Sequence, residues 1–220
     1  MMSIPMAIVD FVPVVLFLAA AVILQRWLYA RMSKGCFALF AAGTIMIVCA
    51  GIMKATWKLL YAAGICDFER LNLSFFPMQA IGFLLAGIAI VALLVFPQGK
   101  KAEALYTAAA PAVFPGTMVF VAMMVLGSLG MCGGLALTAA RQKKRTAAIL
   151  FGVSFLFMLA MGYLSSRDFT KPILNWMAEI VNIFGEGALL AATVMLVKKQ
   201  RAVPEIPENQ EVSYEGTDTQ

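Results

Sequence analysis

Runs of 18 or more residues with almost no charge, each followed by hydrophilic residues and mostly by a short basic cluster, recur along the whole chain. They fall at 8–25, 36–62, 72–96, 104–140, 146–165 and 172–197. The clusters are Arg26, Arg31 and Lys34, then Lys100 and Lys101, then Arg141, Lys143, Lys144 and Arg145, then Lys198, Lys199 and Arg201. A helix needs about 20 predominantly apolar residues to cross the hydrocarbon of a bilayer. With 62% of its 220 residues hydrophobic and 13% charged, the chain carries more apolar surface than a soluble domain of this size can hide. The fold class is therefore an all-α, polytopic transmembrane helix bundle. Residues 1–201 form a single domain, because the spans consume almost the whole length.

The run at 104–140 decides the number of spans. Its 37 uncharged residues exceed one helix of at most about 25 residues and fall short of two full spans with a turn. Phe114-Pro115-Gly116-Thr117 supplies a break, since proline interrupts helical hydrogen bonding and Pro-Gly favours a turn. The spans then read 8–25, 36–62, 72–96, 98–113, 117–140, 146–165 and 172–197. The fourth crosses only if Lys100 and Lys101 snorkel to the headgroups; six spans plus a re-entrant or interfacial segment is the alternative. Positive-inside counting separates the two. Seven spans place 12 Lys and Arg inside and 3 outside, whereas six place 8 inside and 7 outside, leaving Lys54 and Lys58 within the membrane in both. Seven spans give an outside N-terminus and a cytoplasmic C-terminus, in a plasma or bacterial inner membrane. A 3+1+3 arrangement follows, with Pro13 and Pro115 near the starts of corresponding spans and Gln79 opposite Glu179. Parallel repeats of that kind place the site of a transporter near mid-membrane, at the repeat interface. Residues 202–220, with Pro204, Pro207, five acids and few aliphatics, read as a disordered acidic cytoplasmic tail.

Charge and cysteine content exclude several functions. The net charge of +5 resides in the loop clusters, where it acts as a topology signal and not as a nucleic-acid-binding stripe. The chain has no histidine, and Cys36, Cys49, Cys66 and Cys132 show no C-x-x-C spacing. No metal site and no cofactor are expected. Cys49 and Cys132 read as small buried hydrophobes, and Cys36, beside a basic loop, as a candidate for acylation. The first dozen residues contain Asp10 and no Lys or Arg, which is not the start of a signal peptide.

The functional signal lies in the last span. Asn175, Glu179, Asn182 and Glu186 recur at spacings of four, three and four, which places them on one helix face. A carboxylate at the centre of a membrane helix costs about 2.5–3.5 kcal/mol on insertion scales, so it requires a partner. Lys54 and Lys58, on one face of the second span, are the charge partners available. In the seven-span order Lys54 lies about 12 Å below its helix end and Glu179 about 10 Å below its own, at 1.5 Å per residue. Glu186 lies about 21 Å along its helix, with no lysine at that depth. It is expected either as a protonated acid or as a carboxylate in a water-filled cavity, with Asn182 one turn outward as a hydrogen-bond partner. Trp57, Tyr61 and Trp176 are candidates to line the cavity, with the interfacial aromatic belt as the other reading. Gly127, Gly130 and Gly134 form a stripe for close helix packing.

These residues suit a small-solute or ion-coupled transporter, or a solute-binding membrane protein. Glu186, Glu179, Asn182, Asn175 and Gln79 would act as ligand or ion-coupling groups. The partners are membrane lipids and a small solute, cation or proton, without nucleic acid; a second copy or a partner membrane subunit is a further candidate. The first alternative is a non-catalytic membrane subunit or sensor whose charge pairs are structural. The second is a lipid-modifying enzyme using Glu179 and Lys54, although no hydrolase or transferase spacing is present. The 12:3 asymmetry predicts that reporter fusions at residue 3 and residue 215 report opposite sides of the membrane. Two cytoplasmic signals would overturn the seven-span order.

Overall fold

A computed structural model of the chain describes residues 3–96, 117–165 and 172–198. The described residues are helices and short connections. Helix α1 (Ile4–Val9) and helix α2 (Phe11–Tyr29) form one apolar rod, interrupted only at Asp10, whose backbone keeps the helical conformation and after which Pro13 removes a backbone donor from the first turn. Helix α3 (Lys34–Ala62) starts on Ser33, whose side chain accepts a hydrogen bond from the Cys36 N–H at 3.3 Å, a normal N-cap. Helix α4 (Glu69–Val95) contains Pro77. Helix α5 (Thr117–Ser128), a π-helical turn at Leu129–Gly133 and helix α6 (Gly134–Arg141) form one continuous rod. Helices α7 (Arg145–Ser165) and α8 (Pro172–Val197) complete the order. Six of these rods are long and apolar enough to cross a membrane: Ile4–Tyr29, Lys34–Ala62, Glu69–Val95, Met118–Arg141, Arg145–Leu164 and Ile173–Val197. By length and composition the chain is a multi-pass integral membrane protein. The segment 98–113, read above as a span, lies outside the described residues, as does the tail at 202–220.

The rods pack in sequence and close on themselves. Contacts run from α2 to α3, α3 to α4, α4 to α5 and the π turn, α6 to α7, α7 to α8, and α8 back to α2. One core joins them all, with Phe40, Phe151, Leu28, Ile90, Met131 and Leu135 among its most buried members. Many large apolar residues point outward, including Val15, Ile45, Leu126, Ile149 and Phe184. In water such a surface would aggregate; against lipid tails it is the expected exterior.

Glycine sets two of the closest approaches. A Cβ at Gly43 would meet Gly82 O at 2.6 Å and Ala86 N at 2.7 Å, while Lys54 reaches Phe75, so α3 and α4 are antiparallel. Along the next pair the order is different. Phe120 packs on Phe76, Gly127 on Phe83 and Leu84, Gly130 on Gly87, and Gly134 on Ile90 and Leu94. Position rises together on both helices, so α4 and α5 run parallel. The chain leaves α4 at one end of the bundle and enters α5 at the other. The stripe Gly127, Gly130, Gly134 is therefore a seam against α4.

The basic loops gather at the end where α4 finishes. Lys144, between α6 and α7, donates hydrogen bonds to the carbonyls of Leu196 and Lys198 at the last turn of α8, where a cation complements the helix dipole. Burial, and after it the nearby Arg31 guanidinium, lowers the Lys144 pKa below its ordinary value. Arg31 itself lies over the Trp27 ring at 4.3 Å and donates to the Trp27 carbonyl at 2.7 Å.

The cysteines differ from expectation. Cys132 is buried, but Cys49 is exposed and Cys36 is buried. Cys49 lies on the outer side of α3, and Cys36 sits in the first turn of that helix against the core, where an acyl chain could not be attached without opening the packing.

Glycine packing generates a direct test. Gly127→Ala forces a methyl into the backbone of Phe83 and should destabilise by about 1–3 kcal/mol, as overpacking does. Gly152→Ala, with nothing within 4 Å of the added atom, should be neutral or gain about 0.5–1 kcal/mol from helix propensity. Melting temperatures in detergent should move in opposite directions, or fall for Gly127 alone.

Candidate functional site: a buried charge cluster and a deeper carboxyl

Three helices bring opposite charges to one level. Asp10 lies six residues past the start of the first rod, Lys58 four before the end of α3, and Glu179 seven past the start of α8. At 1.5 Å per residue these are depths of about 6–11 Å from helix ends that share one end of the bundle. Lys58 Nζ donates to Glu179 Oε1 at 2.9 Å and forms a second ion pair with Asp10 Oδ2. All three residues are buried, with relative exposures of 7% for Asp10, 8% for Lys58 and 5% for Glu179. One ammonium thus serves two carboxylates, and the carboxylates also face each other. Asp10 Oδ1 and Glu179 Oε2 are buried without a hydrogen-bond donor.

Lys54 takes a different position. It is one turn deeper on α3 and half-buried, with Nζ 4.2 Å from the centroid of the Phe75 ring on α4. That is cation–π distance. Among the described residues no carboxylate lies within ion-pair distance of Lys54, although its charge is close enough to interact with Lys58, Asp10 and Glu179. Two lysines and two acids make the cluster formally neutral.

Above the cluster, Trp57 Nε1 donates to Asp67 Oδ1 at 2.9 Å, and its ring stacks on Tyr61 with centroids 5.8 Å apart. Tyr61 and Trp176 are exposed, at 48% and 40%. Both stand near a helix end. A cleft of about 300 Å³ lies between α4 and α5, lined by residues such as Leu84, Gly87, Val91, Leu126 and Gly130. It touches none of the charged groups.

Glu186, two turns further along α8, is 9% exposed, and its Oε2 has no partner. Cys132, from the π turn, lies beside it, and Ser154, from α7, lies beside Cys132. Ser154 Oγ is also buried without a partner. No hydrogen bond joins Asn182 to Glu186 among the described residues; Asn182 is half-buried one turn away, and Cys132 lies beside Glu186. Gln79 is half-buried on α4. Asn175 makes an interaction of its own near the start of α8. Among the described residues no group of three or more His, Cys, Asp or Glu could hold a metal ion.

Sequence reasoning singled out Lys58 and Glu179 but missed Asp10. The signal was available, since Asp10 interrupts an apolar stretch that begins at Ile4. Starting the first span at residue 8 left the acid at its mouth, while the rod from Ile4 to Tyr29 places it within the bundle. No family model matches this chain, and neither does any curated protein or solved structure.

The shared lysine makes the cost of mutations unequal. Lys58→Met leaves two facing carboxylates without their cation and should exceed the loss from Glu179→Gln, which keeps the Asp10 pair. Removing one partner of a buried ion pair typically costs about 3–5 kcal/mol. In the cycle Lys58→Met, Glu179→Gln, the double variant should recover part of the loss, read as melting temperature in detergent. Strictly additive losses would mean that the two groups do not interact. Lys54→Met should cost less than either.

Proposed function

We propose that this protein is an ion-coupled transporter of small solutes. The observation that carries the reading is the pairing, on α8, of a neutral charge cluster near one end with an unpaired carboxyl two turns deeper. Buried ionisable groups in membrane helices are costly and characteristically mark ion and substrate pathways. In this reading Asp10, Lys58, Lys54 and Glu179 receive the solute, and Glu186, beside Cys132, exchanges the coupling proton or cation. Asn182 and Gln79, half-buried on α8 and α4, are the polar groups available to the path.

The proposal includes seven crossings, with the N-terminus outside and the C-terminus in the cytoplasm, in a plasma or bacterial inner membrane. The parallel course of α4 and α5 supports it, because α4 ends at one end of the bundle and α5 begins at the other. The gathering of Arg31, Lys144 and Lys198 at one end supports the orientation. A second reading, a membrane subunit with purely structural charges, is favoured by the cleft, which avoids Glu186, and by the complete pairing of Lys58.

Accessibility separates the two. Asn182→Cys, in a background with Cys36, Cys49, Cys66 and Cys132 replaced by Ala, should react with membrane-impermeant thiol reagents added from either side. Alternating access requires both reactions. Reaction from neither side would support the subunit reading. Glu186→Gln should fold and should abolish the pH or cation dependence of that labelling; an unchanged dependence would remove Glu186 as the coupling group.

A further inference from the structure

We propose that the solute of the charge cluster is a small zwitterion bearing an ammonium and a carboxylate close together, as an α-amino acid does. This inference rests on the solute-binding reading and adds the substrate class. The cluster is unsatisfied in a particular way. Asp10 Oδ1 and Glu179 Oε2 are acceptors buried without a donor, in residues only 7% and 5% exposed. Buried polar atoms are rarely left so, and the cost of an unmet hydrogen bond is larger for a charged group. Lys58 is already committed to both carboxylates. An added ammonium, with N–H donors, fits the remaining acceptors.

The opposite deficiency lies one turn deeper. Lys54 directs its ammonium at the Phe75 ring, and no carboxylate among the described residues is within ion-pair distance. A ligand carboxylate would give this cation the charged hydrogen bonds that the ring cannot. Lys54 and Lys58 are separated by about 6 Å along α3, so one short molecule can address both edges. Phe75 offers an apolar face beside Lys54.

Net charge selects among ligands. Asp10, Glu179, Lys54 and Lys58 cancel formally, so a zwitterion leaves the balance unchanged. A cation or an anion would add an uncompensated charge where charges are weakly screened. One arrangement would reverse the preference. A proton shared between Asp10 and Glu179, which face each other, would satisfy the same oxygens, leave the cluster with net positive charge and favour an anion.

A charge series on one side chain tests this. Leucine is the zwitterion, leucinamide the cation and N-acetylleucine the anion, and the three forms of glycine control for size. Purified protein in detergent should show saturable thermal stabilisation and equilibrium binding for at least one zwitterion. Each blocked form should bind at least ten-fold more weakly. Lys54→Met should lose zwitterion binding and leave the cation's weak binding unchanged, while Asp10→Asn should weaken the ammonium-bearing forms only. Strongest binding by N-acetylleucine would overturn the proposal in favour of the shared-proton anion site. Equal binding by all three forms, or by none, would overturn it as well. If none binds while Asn182→Cys is still labelled from both sides, the substrate class fails and the transport reading stands.

Discussion

The bundle depends on one ammonium. Lys58 is removed from water on α3, and its charge is compensated by Asp10 from the first rod and Glu179 from the last helix. Apolar side chains packed against lipid-like neighbours have little preference for one register over another, because tails and side chains are equally oily. A buried ion pair has a sharp preference, since a displacement of a few ångströms strands a charge. The cluster therefore sets the mutual heights of three rods that are distant in sequence. Its contribution is to specificity of arrangement more than to net stability, for burying charges offsets much of their attraction.

Much of this was legible in the chain. The membrane class follows from uncharged runs and basic clusters, and the pairing of the second and last spans follows from the rarity of intramembrane charge. Depth estimates along rigid rods narrowed the choice to Lys54 and Lys58. They could not separate the two, because one turn of helix is shorter than a lysine side chain is long. The aromatic face of Phe75 draws Lys54 away, and no pattern in the sequence announces a contact across two helices. Asp10 was hidden for a different reason: charges near the start of an apolar run read equally well as an interface residue. Tyr61 and Trp176 read equally well as cavity or belt, because both readings call for an aromatic ring near a helix end; both residues are exposed.

The order of contacts has a regularity that single helices do not reveal. Rods one, two and three pack in sequence, as do the last three. The third meets the rod that begins the second set, just as the last meets the first. The rods α4 and α5, where the two sets meet, run parallel. The charges do not follow this order of contacts. Glu179 and Glu186 belong to the last helix, while the corresponding helix of the first set offers Gln79 and, further along, alanines and glycines. The two sets of rods thus carry unlike chemistry.

The π turn at Leu129–Gly133 gives its rod two faces instead of one. An α-helix of uniform pitch presents a single stripe to its neighbours. One extra residue in a turn swings everything beyond it around the axis by about 100°. The glycines Gly127 and Gly130 lie flush with α4, and the turn itself carries Cys132 round to Glu186 and Ser154. The seam with α4 runs on through the turn from Gly127 to Gly134, while the turn and the helix beyond it take α7 as a second neighbour.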